Sequence, residues 1–188
     1  SSSRVILYDA ESLTPVASHQ VELQSATTTP EAGWSQMDPA AILKSVDEAA
    51  KGALDKANAS AKDVLGVGIT NQRESTVCWD SRSGDALYDC ILWHDARTRD
   101  VSQALQERLG GIDALRGVTG LPISTYFSGV KLKWLLDEVP SVRNALERGS
   151  LRFGTVDTWL MHHLTGNHVT DFTNASRTLM MDLSKGTW

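Results

Sequence analysis

A chain of 188 residues with 41% hydrophobic and 22% charged side chains has the balance of a globular protein, which excludes a disordered or fibrous chain. Its net charge of -5 argues against nucleic acid as a partner, and no apolar run reaches the length of a membrane span. Two cysteines, Cys78 and Cys90, lie without Cys-x-x-Cys spacing or a zinc-ligating histidine pair, and read as buried thiols of a reduced, cytoplasmic protein.

Residues 4–9 predict a strand, 10–15 a turn and 16–23 a second strand, which together make a hairpin. The polar stretch 24–37 reads as a loop whose one large apolar group is Trp34. Asp38-Pro39 is a helix start: Asp38 can cap free N–H groups, and Pro39 suits the first helical position. Ile42, Val46, Ala50, Ala53, Leu54 and Ala57 follow at helical spacing, and the helix should stop near 58–60. The run 64–70 is short, apolar and β-branched, as expected of a strand buried on both faces. Residues 71–74 break it, 75–80 and 91–93 read as strands, and helices are predicted over 97–109, 112–118, 128–137 and 141–148. A last strand at 151–154 runs into a helix over 156–164. This order gives an α/β domain with a mixed sheet flanked by helices.

No Gly-x-x-x-x-Gly-Lys-Ser loop and no Gly-x-Gly-x-x-Gly after a strand is present, so any nucleotide must be held by another device. Ser1, Ser2, Ser3 and Arg4 offer hydroxyls, N–H groups and a guanidinium, fit either for an anion-binding nest or for a frayed polar terminus. Asn71, Gln72, Arg73 and Glu74 fall at the carboxyl end of the expected buried strand, where α/β sheets bind ligands. Arg73 and Glu74 could hold vicinal hydroxyls, or form one local ion pair in a solvated loop. Trp93 could form an apolar wall for the carbon face of a polyol, or be core; Tyr126, before a helix, could reach a ligand or simply pack. Lys131 and Lys133 read as surface or supporting residues, and adjacent His162 and His163 as structural ones. Asp171, Thr173, Asn174, Ser176 and Arg177 form a dense polar loop that either builds the same cleft or braces it.

Together these segments resemble the FGGY carbohydrate kinase family, which includes glycerol, xylulose and gluconate kinases. Segment 126–138 (YFSGVKLKWLLDE) matches a family signature, while 68–74 (GITNQRE), 153–160 (FGTVDTWL) and 168–178 (HVTDFTNASRT) are most similar to its glycerol-phosphorylating members. The resemblance runs over nearly the whole chain, and implies an actin/hexokinase-like (ribonuclease H-like) ATPase fold of two domains around a cleft. Residues 1–188 would be part of the N-terminal domain, with its first strand expected before Ser1. The catalytic base is expected beyond Trp188, and the ATP-binding second domain further on, so no catalytic residue is assigned and the fragment alone is expected to be inactive. The resemblance implies MgATP (ATP and Mg2+) and glycerol as substrates. Arg73, Glu74 and Tyr126 would sit on the polyol hydroxyls, Trp93 against its carbon chain, and Ser1, Ser2 and Arg4 near the phosphates. It leaves open another polyol or sugar such as xylulose, ribulose or gluconate, a non-catalytic remnant, and a homo-oligomer in the full-length enzyme.

Overall fold

The computed structural model describes all of residues 1–188. The chain divides into two compact units, one formed by 1–28 and 37–69, the other by 29–36 and 70–188.

In the first unit, β1 (Ser2–Tyr8) and β2 (Pro15–Glu22) form the expected hairpin, antiparallel with Ser2 opposite Glu22 and Leu7 opposite Ala17. A two-residue strand, β3 (Thr27–Thr28), follows, and β4 (Gln36–Met37) lies where the chain passes between the units. Helix α1 (Pro39–Ala57) starts as its sequence dictates: the Asp38 side chain accepts from Ala40 N at 2.9 Å with Pro39 in the first turn. It ends at Asn58, whose φ of 49° is the left-handed conformation of a helix C-terminus. α1 buries Ile42, Ser45, Ala49 and Ala53 and packs on the hairpin. The approach is close at Gly52, where a Cβ would fall 2.5 Å from the His19 ring, and Lys56 Nζ donates to Ser18 O at 2.8 Å.

The run 64–70 corrects the sequence expectation. It forms no strand, and Leu65 and Val67 are 87% and 80% exposed. Apolar β-branched residues make a strand only where backbone N–H and C=O groups meet a neighbouring ladder, and no strand pairs with this run.

In the second unit, β5 (Thr76–Asp80) pairs antiparallel with β7 (Leu151–Thr155) from Thr76 opposite Thr155 to Asp80 opposite Leu151. On its other side it pairs with β6 (Cys90–Ile91), with Thr76 opposite Ile91. The start of β5 and the ends of β6 and β7 therefore share one end of the sheet. The helices are α2 (Arg99–Leu109), α3 (Arg116–Thr119), α4 (Ser128–Glu138), α5 (Pro140–Glu147), α6 (Val156–Thr165) and α7 (Phe172–Ala175). The predicted 112–118 helix shrinks to the single turn of α3. α4 and α5 are separated at Val139, because Pro140 can open a helix but cannot extend one. Cys78, Ile91, Leu135, Val139 and Val142 form one core cluster, and Leu121, Ile123, Phe127, Val130 and Leu179 another.

Both cysteines are buried thiols, as expected. Of the two alternatives for the lysines, Lys133 is the surface one and Lys131, wholly buried, the supporting one, with a simple cause. Lys131 lies four residues before Leu135 and three after Ser128, on the stripe that α4 turns inward. No helix is long and apolar enough to cross a membrane.

Candidate functional site

Three loops converge on the shared end of the sheet in the second unit: 71–75 leading into β5, 92–98 leaving β6, and 124–127 leading into α4. The first carries Glu74, which is buried and held at φ 67°, a left-handed conformation that costs a non-glycine residue about 1–2 kcal/mol. Strain of this kind persists only where surrounding contacts fix it. Here the Glu74 carbonyl accepts from Thr76 Oγ1 and from Ser128 Oγ, both at 3.1 Å, tying the loop to β5 and to the first residue of α4.

The Glu74 carboxylate is not paired with its neighbour Arg73. Arg177 Nε donates to Glu74 Oε1 at 2.5 Å, and the Glu74 side chain is only 4% exposed. The same guanidinium lies over the rings of Tyr126, at 5.7 Å, and Phe127, at 5.0 Å. Tyr126 meets Trp93 edge to face with centroids 5.6 Å apart. Trp93 is exposed, not core, and its N–H donates to Ser75 Oγ at 3.1 Å. Arg73 is exposed and makes no hydrogen bond or ion pair within the chain. Glu74, Trp93 and Tyr126 thus form one contiguous patch through Arg177, with Arg73 adjoining it in sequence.

The supports behind this patch are polar and buried. Asp95 and Arg97 pair at 2.8 Å with both side chains fully buried. Asp95 also accepts Ser35 N at 2.5 Å, while Arg97 donates to Gln36 Oε1 at 2.8 Å and lies 4.0 Å over Trp34. This network fixes the segment just after Trp93. On the other side, Asn71 and Asn174 exchange amide hydrogen bonds of 3.0 and 3.1 Å, so the polar loop braces the 71–74 segment. Asn174 is itself held by Asp171, which caps α7. Burial opposes ionisation of Asp171, but the hydrogen bonds of Asn174 and Thr173 outweigh it and hold the carboxyl below its usual range.

The site does not lie at the end of a strand over 64–70, as its sequence position suggests, but at the entrance of β5. Nor is it the 490 Å³ cavity elsewhere in the second unit, which is lined by Thr155, His168, Asp171, Phe172, Thr178 and Met181 among others. Sequence alone places Arg177 in the polar loop without joining it to Glu74, and gives Lys131 as a surface or supporting residue. Arg177 and Glu74 are 103 positions apart, so no local pattern joins them. For Lys131 the signal lies in the i, i+4 relation to Phe127 and Leu135.

Ser1, Ser2 and Arg4 belong to the first unit. Ser2 and Arg4 are in β1, Ser1 O accepts Leu23 N at 2.9 Å, and Arg4 Nε donates to Gln20 Oε1 at 2.7 Å. An extended strand does not form the nest that their composition allows, since a nest needs alternating right- and left-handed residues.

The family model for the FGGY family of carbohydrate kinases, N-terminal domain, matches residues 1–188. The chain is 48% identical over 193 residues to a glycerol kinase of Brucella anthropi and 49% identical over 191 to one of Leptothrix cholodnii. All of this chain is covered in both cases, but only 38% and 37% of those proteins. Among solved structures it is similar to the Plasmodium falciparum glycerol kinase with ADP, with a TM-score of 0.87 and 32% identity, over all of this chain and 37% of that one. The chain spans a little over a third of the length of these relatives. It has the actin/hexokinase-like α/β fold of the family's kinases. On its fold, its sequence and the family model that covers it from end to end, the chain belongs to the FGGY family of carbohydrate kinases.

Proposed function

We propose that the protein carrying this chain transfers the terminal phosphoryl group of MgATP to a primary hydroxyl of glycerol, and that residues 1–188 supply its polyol-binding surface. The observation that carries the reading is the joining of Glu74, Trp93 and Tyr126 in one patch, beside an unpartnered Arg73. Glu74 is acceptor-only when ionised and Arg73 donor-only, so between them they suit hydroxyls, which both donate and accept. Trp93 offers an apolar face to the carbon chain. Such a site rejects an analogue lacking a hydroxyl by on the order of 10⁴-fold, because its own polar groups are then left unpaired.

In the proposed step the glycerol oxygen bonds to the γ-phosphorus as the bond to the bridging oxygen of ADP breaks. The hydroxyl proton leaves to a base that we place outside residues 1–188. Positioning and charge stabilisation dominate such a transfer, and positioning is what this patch supplies. Magnesium enters this reading as part of the nucleotide substrate. Ser1, Ser2 and Arg4 remain proposed contacts of the nucleotide phosphates.

The test is ADP release by the full-length protein with MgATP and, in turn, glycerol, xylulose, ribulose and gluconate. Turnover with glycerol alone is expected. Turnover only with a sugar would reassign the substrate, and none with any of the four would overturn the kinase reading.

A further inference from the structure

Lys131 is the chain's one wholly buried lysine. Its ammonium donates to the carbonyls of Thr125, at 3.0 Å, and Tyr126, at 2.5 Å. Both carbonyls precede Phe127, the residue that caps α4, and so fall outside that helix's own ladder. No carboxylate hydrogen-bonds the ammonium. Taking a lone cation out of water costs several kcal/mol even after relaxation, and an apolar side chain of similar length would remove that cost. Stability alone therefore does not account for a lysine here. What its charge does is fix two successive peptide groups in the loop that carries Tyr126.

We propose that Lys131 is a positioning residue for the polyol site: its buried ammonium clamps the Thr125 and Tyr126 carbonyls and so holds the Tyr126 ring against Trp93. The inference rests on the reading of Tyr126 and Trp93 as the polyol surface. The clamp works from behind the loop, while Arg177 lies over the Tyr126 and Phe127 rings. Losing the proton removes the charge that strengthens both hydrogen bonds, so the protonated form is the stronger clamp. Burial pushes the amine down to about 8, against the attraction of Asp95 and Glu74. Cys90 also favours the charged form and Arg97 opposes it; these four are the charged and titratable groups that face it. The clamp should therefore loosen within the physiological alkaline range.

Two measurements on the full-length protein test this. The first is NMR of ring-13C-labelled tyrosine, with the Tyr126 signal assigned by its loss in Tyr126→Phe. The Tyr126 signal should move in Lys131→Met, stay put in Lys133→Met on the exposed side of the same helix, and titrate near pH 8 in the wild type. A Tyr126 signal that neither moves in Lys131→Met nor titrates near pH 8 would overturn the proposal. Should Lys131→Met fail to fold, Lys131→Gln, which removes the charge but keeps a polar end, is read by the same signal in its place. The second is steady-state kinetics. Lys131→Met should lower kcat/KM for glycerol on the order of 10- to 100-fold with KM for ATP unchanged, the scale expected of a small misplacement. Wild-type rates in a folded Lys131→Met would also overturn it. A wild type inactive on glycerol but with the expected Tyr126 signals would leave the clamp standing and sink the substrate reading instead.

Discussion

Gly129 is the position where the structure makes its sharpest prediction, because two effects of similar size oppose each other there. It sits in the first turn of α4, where alanine is the better helix former by about 1 kcal/mol. Against that, a Cβ at 129 would lie 2.8 Å from Thr178 O and 3.1 Å from Met180 Cγ. The first of these neighbours is backbone and cannot swing aside. Gly129 N also donates to the same oxygen at 2.7 Å, so relieving the clash stretches a hydrogen bond with a net value of about 1 kcal/mol. Overpacking of this kind costs about 1–3 kcal/mol. Together the unfavourable terms exceed the helix gain, and Gly129→Ala should destabilise by about 1–3 kcal/mol in denaturant unfolding. Gly117→Ala is the matched control: that glycine is also helical, an added Cβ would have nothing within 4 Å, and the change should be neutral or slightly stabilising. Because Thr178 follows Arg177, Gly129→Ala should also weaken glycerol binding. A Gly129→Ala protein as stable as the wild type would refute the claim that α4 and the 177–180 segment are in direct backbone contact.

Arg177→Met should keep the stem's packing but strand the buried Glu74 carboxylate, and cost about 2–4 kcal/mol together with a clear loss of glycerol affinity; unchanged affinity would separate the Glu74–Arg177 pair from the site. The Lys131 amine falls from its ordinary 10.5 to about 8 on folding, so between these values the unfolded chain holds more protons and stability rises with pH. Wild type should gain roughly 3 kcal/mol on Lys131→Met between pH 8 and 10.5, and a flat difference across that range would contradict the burial of the charge. Burial alone pushes the Cys78 thiol far above its usual range and leads the causes that push Cys90 up to about 12. Neither should react with a thiol reagent at pH 8 until the protein is unfolded, as read by absorbance of the released chromophore.

What can be read from the sequence follows the range of the forces involved. The start of α1 is legible because its cap is local: Asp38 and Pro39 act within one turn. The hairpin, β5, β7 and α6 are legible for the same reason, through turn residues and short apolar runs. The run 64–70 misleads because an apolar sequence states a capacity to pair, while a strand needs a neighbour that pairs with it. Candidate residues Glu74, Trp93 and Tyr126 are visible as polar or aromatic groups at element ends, but their meeting depends on antiparallel pairing that brings the start of β5 beside the end of β6. The Glu74–Arg177 pair is beyond local reading, since the partners are joined only by the fold. Lys131 stays undecided between surface and support when residue type is read without helical position, and the i, i+4 relation to Leu135 decides it.

The central claim is that Arg73, left unpartnered by its own chain, is kept free for a polyol. The direct measurement is calorimetric titration of the full-length Arg73→Ala protein with glycerol and, separately, with MgATP. Loss of hydrogen bonds from a charged donor should weaken glycerol binding by about 10- to 100-fold. Since Arg73 is exposed and makes no hydrogen bond or ion pair within the chain, MgATP affinity and unfolding midpoint should stay as in the wild type. Equal losses for both ligands, or none for glycerol, would contradict the assignment.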